Sequence, residues 1–494
     1  MKTNPDIVFV VSHANLFSEY MPFYYLYLSA FLEHHGFATE IFNERIRDND
    51  AYSEAAVSFI QQKASRFVAL ASFATDKREV TRLAELIKSQ TNAKILVGNA
   101  QPSVSPEEYV FPGSPFDIAI LGEGEQTLYE ILEGNALEDI DGVAYLADGV
   151  CKKTPKRKVI DLAILPIPAY HKIDMTLYTK PTKYLIRRVP ASCAVIFIHR
   201  GCPFHCSFCA ANSVWNANDC GNNGCVRKRK IESVIEELTL LENKYGFDFF
   251  YIMDDTFGLS AVDIIEFCDA YQNSGLTMLW AVDARVNSAC FKDECLLEMM
   301  KRAGCIQIDM GVESGSQDVL DRIQKGITTA QIRHAFSLCH KHGIRCLANI
   351  LINLPGETIA DIEETDALLG RIRPTWVSIG ATQPYPGTDC NRELGFPSKE
   401  DYSDMSRLTP LEKYRMASHH ISLEKLLLGM QIKHGVFPVV ETSIFYTDNR
   451  YWKKIIGSRH ILAYLKCFIW DMAVGSVNMY FRSRLRYLKL GAGL

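Results

Sequence analysis

No cysteine precedes Cys151, although the 494-residue chain carries 15 of them. The odd count and the absence of a disulfide-like framework exclude a secreted, disulfide-stapled scaffold and lead us to expect a reducing, cytoplasmic setting. A long uncharged apolar run is also missing. The most apolar late segment, Ile461 to Phe481, is interrupted by Lys466 and Asp471, so it falls short of the roughly 20 apolar residues that span a bilayer. The opening residues Met1 to Asp6 carry no secretory leader and lead directly into an apolar stretch. Positive charge is not in excess: the net charge is −5, which gives no general attraction to nucleic acid. Hydrophobic residues at 48% and charged residues at 22% are ordinary for a globular protein, and the length implies about two to four domains.

Residues 1–145 alternate short apolar runs with amphipathic ones. The runs Ile7 to Val11, Thr39 to Phe42, Phe67 to Ser72, Lys94 to Val97 and Asp117 to Leu121 read as strands, with helices near Phe23 to His34, Ser53 to Gln62, Arg78 to Ser89 and from Glu125. Such alternation predicts a doubly wound, flavodoxin-like parallel sheet, in which ligands bind beyond the carboxyl ends of the strands. Small or turn-forming residues stand at those ends: Ser72 and Thr75, Gly98 and Asn99, then Gly122, Glu123 and Gly124. They let a large planar ligand approach the backbone. Residues 146–188 read as a connector, because Asp148-Gly149, the basic cluster Lys152 to Lys158 and Leu165-Pro166-Ile167-Pro168 oppose a regular helix.

A second alternation fills residues 189–398. Its six strand-like runs are Ala194 to Ile198, Phe249 to Met253, Met278 to Val282, Cys305 to Met310, Cys346 to Ile352 and Trp376 to Ile379. The helical stretches between them include Ile231 to Tyr245, Lys292 to Ala303 and Thr329 to His342. This predicts a partial (β/α)6 barrel, whose reactive groups gather at the C-terminal ends of its strands. Polar clusters fall at those ends: Asp254 and Asp255, Asp283 and Arg285, Glu313 and Ser314, Asn353 to Thr358, and Gln383 to Thr388.

The first of those ends carries Gly201 to Ala210, with thiols at Cys202, Cys206 and Cys209. Thiolates ligate iron–sulfur clusters, and a cubane takes four ligands, so a loop offering three leaves one iron open. A zinc loop is the alternative reading of closely spaced thiols. Cys220 and Cys225 stand nearby, as free thiols or as ligands of a second centre.

The CxxxCxxC spacing, with Phe208 before its last Cys, resembles the signature of radical S-adenosylmethionine enzymes. The pieces Leu26 to Gly36, Val97-Gly98-Asn99 and Gly122 to Thr127 resemble the cobalamin-binding domain that precedes the radical domain in one large subfamily. The resemblance covers roughly residues 5–395. It implies a [4Fe-4S] cluster on Cys202, Cys206 and Cys209, S-adenosyl-L-methionine on the open iron, and cobalamin near Ser72, Thr75, Gly98, Asn99, Gly122, Glu123 and Gly124. In that family one electron splits the bound sulfonium to give a 5′-deoxyadenosyl radical. The resemblance further implies that Glu313 and Ser314 touch the ribose and methionine portions, and that Phe208 presents backbone to adenine. Asp254 and Asp255 are then the candidate catalytic carboxylates, near the ammonium or the substrate. Arg285 is a candidate donor to the carboxylate, its fork suiting that geometry. As structural alternatives, Asp254 caps the following helix and Arg285 pairs with Asp283.

The chain departs from the family in two places. The lower-ligand loop of some cobalamin proteins is reduced to His13, which we read as a loop or core histidine. Asn353 replaces the Gly of a Gly-Leu-Pro-Gly-Glu loop. The implied activity is methyl transfer to an unactivated carbon of a small-molecule or lipid-like substrate, with a flavodoxin or ferredoxin as electron donor. A radical cyclase or rearrangement enzyme and a non-catalytic iron–sulfur or cobalamin sensor are the alternatives. A transfer-RNA methylthiolating enzyme ordinarily adds N-terminal cysteines, absent here. Residues 399–494, rich in aromatic and basic side chains and with helical spacing near Leu411 to Ile432, are expected to cover the barrel and shape substrate access. Their part from Ile461 to Leu490 either packs on the barrel or contacts a membrane surface peripherally.

Overall fold

The computed structural model describes residues 4–16, 20–220, 226–382, 384–394, 430, 433–434 and 448–470. The helix expected near Leu411 to Ile432 and the thiol of Cys225 lie outside these residues. In the N-terminal unit the apolar runs pair as β1 (Ile7–Val10), β2 (Thr39–Phe42), β3 (Phe67–Ala71), β4 (Lys94–Gly98) and β5 (Ile118–Ile120). A hairpin follows, β6 (Val143–Ala147) and β7 (Val150–Lys153). The seven strands form one sheet in the order β2-β1-β3-β4-β5-β6-β7. β1 to β5 are parallel, while β6 and β7 run antiparallel. Strands such as β1 and β3 are buried along their whole length, as a sheet covered on both faces requires.

The sheet therefore continues past residue 145, and part of the segment read as a connector is strand. Asp148 and Gly149 both adopt positive φ, 52° and 77°, the conformation of a two-residue hairpin turn whose twist matches its flanking strands. From the basic cluster, Arg157 reaches back to the Glu130 carboxylate and donates to Thr127 at 2.7 Å.

The second unit holds β8 (Cys193–Ile196), a short antiparallel ribbon of β9 (His199–Arg200) and β10 (Arg227–Lys228), then β11 (Phe249–Phe257), β12 (Leu279–Ala284), β13 (Cys305–Glu313), β14 (Arg345–Ile352) and β15 (Trp376–Ala381). The strands β8 and β11 to β15 lie side by side in chain order and pair in parallel, as the partial barrel predicts. β11 and β13 run longer than their apolar cores. Register shifts between Ile252 and Phe257, and between Gly311 and Glu313, carry their polar ends into the strand. Asp254, Asp255 and Glu313 are thus fixed by sheet pairing.

Helices Asn449–Ile456 and Ile461–Trp470 pack beneath the barrel, at the N-terminal ends of its strands. Tyr464 Oη accepts from the Ser192 amide at 2.8 Å and donates to Asp248 at 3.0 Å, while Tyr451 donates to the Pro190 carbonyl at 3.0 Å. These two helices close the end opposite the cysteine loop, whereas Lys433 and His434 pair with Asp366 on the helix Ile359–Ile372. The anchors of the two helices, Ser192 and Asp248, precede β8 and β11, which explains the placement. No helix among the described residues is long and apolar enough to cross a membrane.

Candidate cofactor site at the domain cleft

The cysteine loop leaves β9 and enters helix Ala210–Trp215. Backbone bonds tie it to its surroundings: the Ser207 amide donates to the Ile323 carbonyl, and the Cys390 amide to the Ser207 carbonyl, both at 3.0 Å. Cys202, Cys206 and Cys209 are all free thiols, with Cys206 buried. Burial raises the Cys202 thiol to about 11 and lifts Cys209 as well, so a metal must displace their protons. Among the described residues no three His, Cys, Asp or Glu side chains converge on a single metal ion. The triad is not a one-ion zinc cage; a cubane instead takes one thiolate at each of three separate irons.

Two buried cations face this loop. Arg285 Nη1 stands 3.6 Å from Cys206 Sγ, Nη2 donates to the Lys325 carbonyl, and the guanidinium lies 3.7 Å from the Phe204 ring centroid. Arg285 therefore serves the loop and does not pair with Asp283. Lys325 pairs with Glu313 at 2.6 Å and lies 5.6 Å from the ring of Phe208. Glu313 sits at φ 62°, a left-handed conformation that turns the end of β13. A Cβ on Gly311 would come within 2.5 Å of Glu313 Oε1 and 2.7 Å of Lys325 Nζ. Glycine leaves there a recess that the ion pair itself fills.

Several expected contacts are turned elsewhere. Asp254 is fully buried and accepts from the Ile198 and His199 amides at 2.7 and 3.0 Å and pairs with His199 Nδ1 at 2.8 Å. It neither faces a ligand nor caps a helix; it fastens the exit of β8 to β11. Burial opposes charge on His199, yet the Asp254 bond and the charges of Asp254 and Asp263 carry it above its ordinary value. Ser314 is also fully buried, against Thr365 at 3.3 Å, so its hydroxyl does not reach the recess. Ser72 lies 2.7 Å from Tyr109 Oη beneath the sheet end and lines neither cavity described below. His13 bonds the carbonyls of Ile46 and Arg47 at 3.1 and 3.0 Å, as a loop histidine would.

Asp255 does face the cleft. Its carboxylate accepts from the Gly201 amide at 2.8 Å and from Trp215 Nε1 at 3.0 Å. Enclosure by protein, only partly offset by these bonds, raises its pKa. Asp255 and Trp215 form a wall common to two cavities between the domains. One, of about 390 Å³, is lined by Gly98, Asn99, Gly122, Glu123 and Gly124 from the sheet and by His199 and Arg200 from the barrel. The other, of about 380 Å³, is lined by Thr75, Asn99, Ala210, Tyr385 and Pro386.

Glu123 lines the first cavity, but its carboxylate joins the domains: it meets Arg200 at 2.8 Å and Arg227 at 2.9 Å, and Arg200 also holds Glu125 at 2.8 Å. Burial works against ionisation of Glu123, and the Arg200 and Arg227 charges overcome it, lowering its pKa. Sequence reasoning missed Arg200, Trp215, Asn218 and Lys325. Asn218 seals Gly122, where a Cβ would strike its side chain at 2.3 Å. Cys220 is disulfide-bonded, and so is neither a free thiol nor a metal ligand here.

The Radical SAM superfamily matches residues 196–369, and the B12 binding domain matches residues 11–132. An uncharacterized methyltransferase of Pyrococcus horikoshii is 30% identical over 318 residues, covering 63% of this chain and 65% of the relative. The anaerobic magnesium-protoporphyrin IX monomethyl ester cyclase of Rubrivivax gelatinosus is 28% identical over 306 residues, covering 60% and 52%. The chain thus spans about half to two thirds of the length of these curated relatives. Among solved structures, the radical S-adenosylmethionine methyltransferase TsrM of Kitasatospora setae, with cobalamin and a [4Fe-4S] cluster bound, superposes with a TM-score of 0.64. It shares 18% identity, over 79% of this chain and 78% of that one. The two matched domains imply a [4Fe-4S] cluster, S-adenosyl-L-methionine and cobalamin. The residues fit: three free thiols in one loop, two buried cations beside them, and cleft cavities walled by backbone and apolar side chains.

Proposed function

Because residues 196–369 match the Radical SAM superfamily and residues 11–132 the B12 binding domain, we propose that the chain transfers a methyl group to an unactivated carbon of a small-molecule or lipid-like substrate. The observation that carries this reading is the common wall of Asp255 and Trp215. It sets the carboxyl end of the N-terminal sheet directly against the cysteine loop. When bound, the cofactors supply the radical, through the cluster and S-adenosylmethionine, and the methyl group, through cobalamin.

The chain's own residues bind, orient and exclude water. Cys202, Cys206 and Cys209 hold the cluster; Arg285 and Lys325 offset its negative charge and keep a donor for the S-adenosylmethionine carboxylate. The Glu313–Lys325 pair, packed over Gly311, would border S-adenosylmethionine beside Phe208 of the loop. Thr75, Gly98, Asn99, Gly122, Glu123 and Gly124 receive cobalamin, largely through backbone. Asp255 orients Gly201 and Trp215 at the meeting point. The electron comes from a flavodoxin or ferredoxin. Exposed Leu462, Leu465 and Ile469 on the last described helix support peripheral contact with a lipid surface, which co-sedimentation with anionic vesicles tests.

The test is anaerobic reconstitution followed by product analysis. The wild type should form 5′-deoxyadenosine, and with its substrate S-adenosylhomocysteine as well. Cys206→Ala should abolish both, and retained cleavage in that variant overturns the reading. Similarity to the cyclase favours a second reading, rearrangement without methyl transfer. It predicts 5′-deoxyadenosine with no S-adenosylhomocysteine.

A further inference from the structure

The floor of the barrel carries a polar group that neither the cluster loop nor the cleft uses. Asp283 on β12 and Asp309 on β13 are register partners, so their side chains stand side by side on one face. Tyr251 on β11 reaches across to them and donates to Asp309 Oδ2 at 3.0 Å. That reach from two strands away places all three on the concave, lumen side. Below them Gln307, two residues back on β13, donates to the Leu185 carbonyl at 3.1 Å, and Arg345 donates to the Arg187 carbonyl. The segment containing Leu185 and Arg187 thereby lies against the barrel beneath the acids.

Two acceptors on this floor lack partners. Asp309 Oδ1 and Gln307 Oε1 are buried without a hydrogen-bond partner, although the residues are only 4% and 0% exposed. Tyr251 has a single O–H for two carboxylates. Arg187 and Arg345 add positive charge to the neighbourhood, yet burial still raises both acids, and Asp309 adds to the rise of Asp283. Orphaned acceptors of this kind are costly unless a bound group supplies the donors. Asp283 alone of the pair remains partly accessible. Arg285, which touches Cys206, stands two residues further along the chain, just past the end of β12. At the rise of a parallel strand that is about 7 Å, the span of a small molecule's few bonds.

Resting on the methyltransferase reading, we infer that Asp283, backed by Asp309 and Tyr251, anchors the end of the substrate remote from the reacting carbon, and that this end donates N–H or O–H hydrogen bonds, as an amine or an alcohol does. An anionic end, carboxylate or phosphate, would lie beside the buried acid pair and leave the orphaned acceptors unsatisfied, so it binds more weakly.

Saturation-transfer NMR on the reconstituted full chain, with hexylammonium, 1-hexanol and hexanoate as probes, tests this. Stronger transfer to hexylammonium and hexanol than to hexanoate is expected. Asp283→Asn should weaken hexylammonium at least tenfold while the cluster iron content and the thermal melt stay unchanged. The inference is overturned if hexanoate binds as well as the donors, if no donor binds, or if Asp283→Asn leaves the hexylammonium signal intact. Should Asp283→Asn fail to fold, the order of the three probes on the wild type still decides. Formation of 5′-deoxyadenosine in the same samples reports on the parent reading separately, since none of these outcomes depends on it.

Discussion

Arg285 and Cys206 meet at 3.6 Å, nitrogen to sulfur, while the same guanidinium holds the carbonyl of Lys325. One side chain just past the end of β12 thus ties the middle thiol to the segment bearing the second cation. Replacing it with Gln removes a charge-assisted contact of about 1.5–3 kcal/mol. Arg285→Gln should therefore keep the iron content of the wild type and lose roughly 10- to 100-fold in 5′-deoxyadenosine formation. Iron analysis beside a cleavage assay distinguishes this from simple loss of the cluster.

The Asp254–His199 pair makes stability depend on pH. Because the folded protein holds His199 above its ordinary value, folding takes up a proton there. The stabilisation is complete below the unfolded pKa, about 6.5, and is lost as pH rises through the higher folded value. Thermal melts of wild type and Asp254→Asn should differ most at pH 6 and converge toward pH 9. An unchanged gap would show that the charge on His199 contributes nothing.

Glu123 is only 5% exposed at its side chain and faces two arginines. Glu123→Gln leaves Arg200 and Arg227 without their shared anion, at a cost of about 3–5 kcal/mol. Urea unfolding should show that loss. In Glu123→Met/Arg227→Met, with Arg200 still paired to Glu125, much of it should return.

Asn353 lies at φ 63°. Asn visits the left-handed region readily and a β-branched residue does not. Asn353→Gly should be nearly neutral in a denaturant melt, and Asn353→Val should lose about 1–2 kcal/mol.

Much of this architecture could be read along the chain, because each apolar run is long enough to be one buried strand and each is followed by an amphipathic helix. The cysteine triad was legible because its spacing is local. Side-chain direction was not. Asp254 and Asp255 are neighbours, yet one is sealed against His199 and the other faces the cleft, since alternate residues of β11 point to opposite faces. Ser72 and Ser314 are small and polar at strand ends, as a ligand site requires, but Tyr109 and Thr365 lie behind them, and only the folded chain brings those partners near. Lys325 was missed because no strand precedes it; it reaches the site through Glu313. Asp148-Gly149 carried a hairpin signal that its basic surroundings obscured.

One buried ion pair bears on how this protein must operate. Arg229 and Glu237, both at 0% side-chain exposure, share Tyr27 of the N-terminal unit, which donates to Glu237 at 3.1 Å and accepts from Arg229 at 2.9 Å. Prising the two halves apart would break both Tyr27 bonds and wet the Tyr27–Phe197 contact, while leaving the ion pair itself intact. Exchange of nucleoside, corrinoid and product through gaps at the rim would keep both Tyr27 bonds, whereas hinge opening would break them.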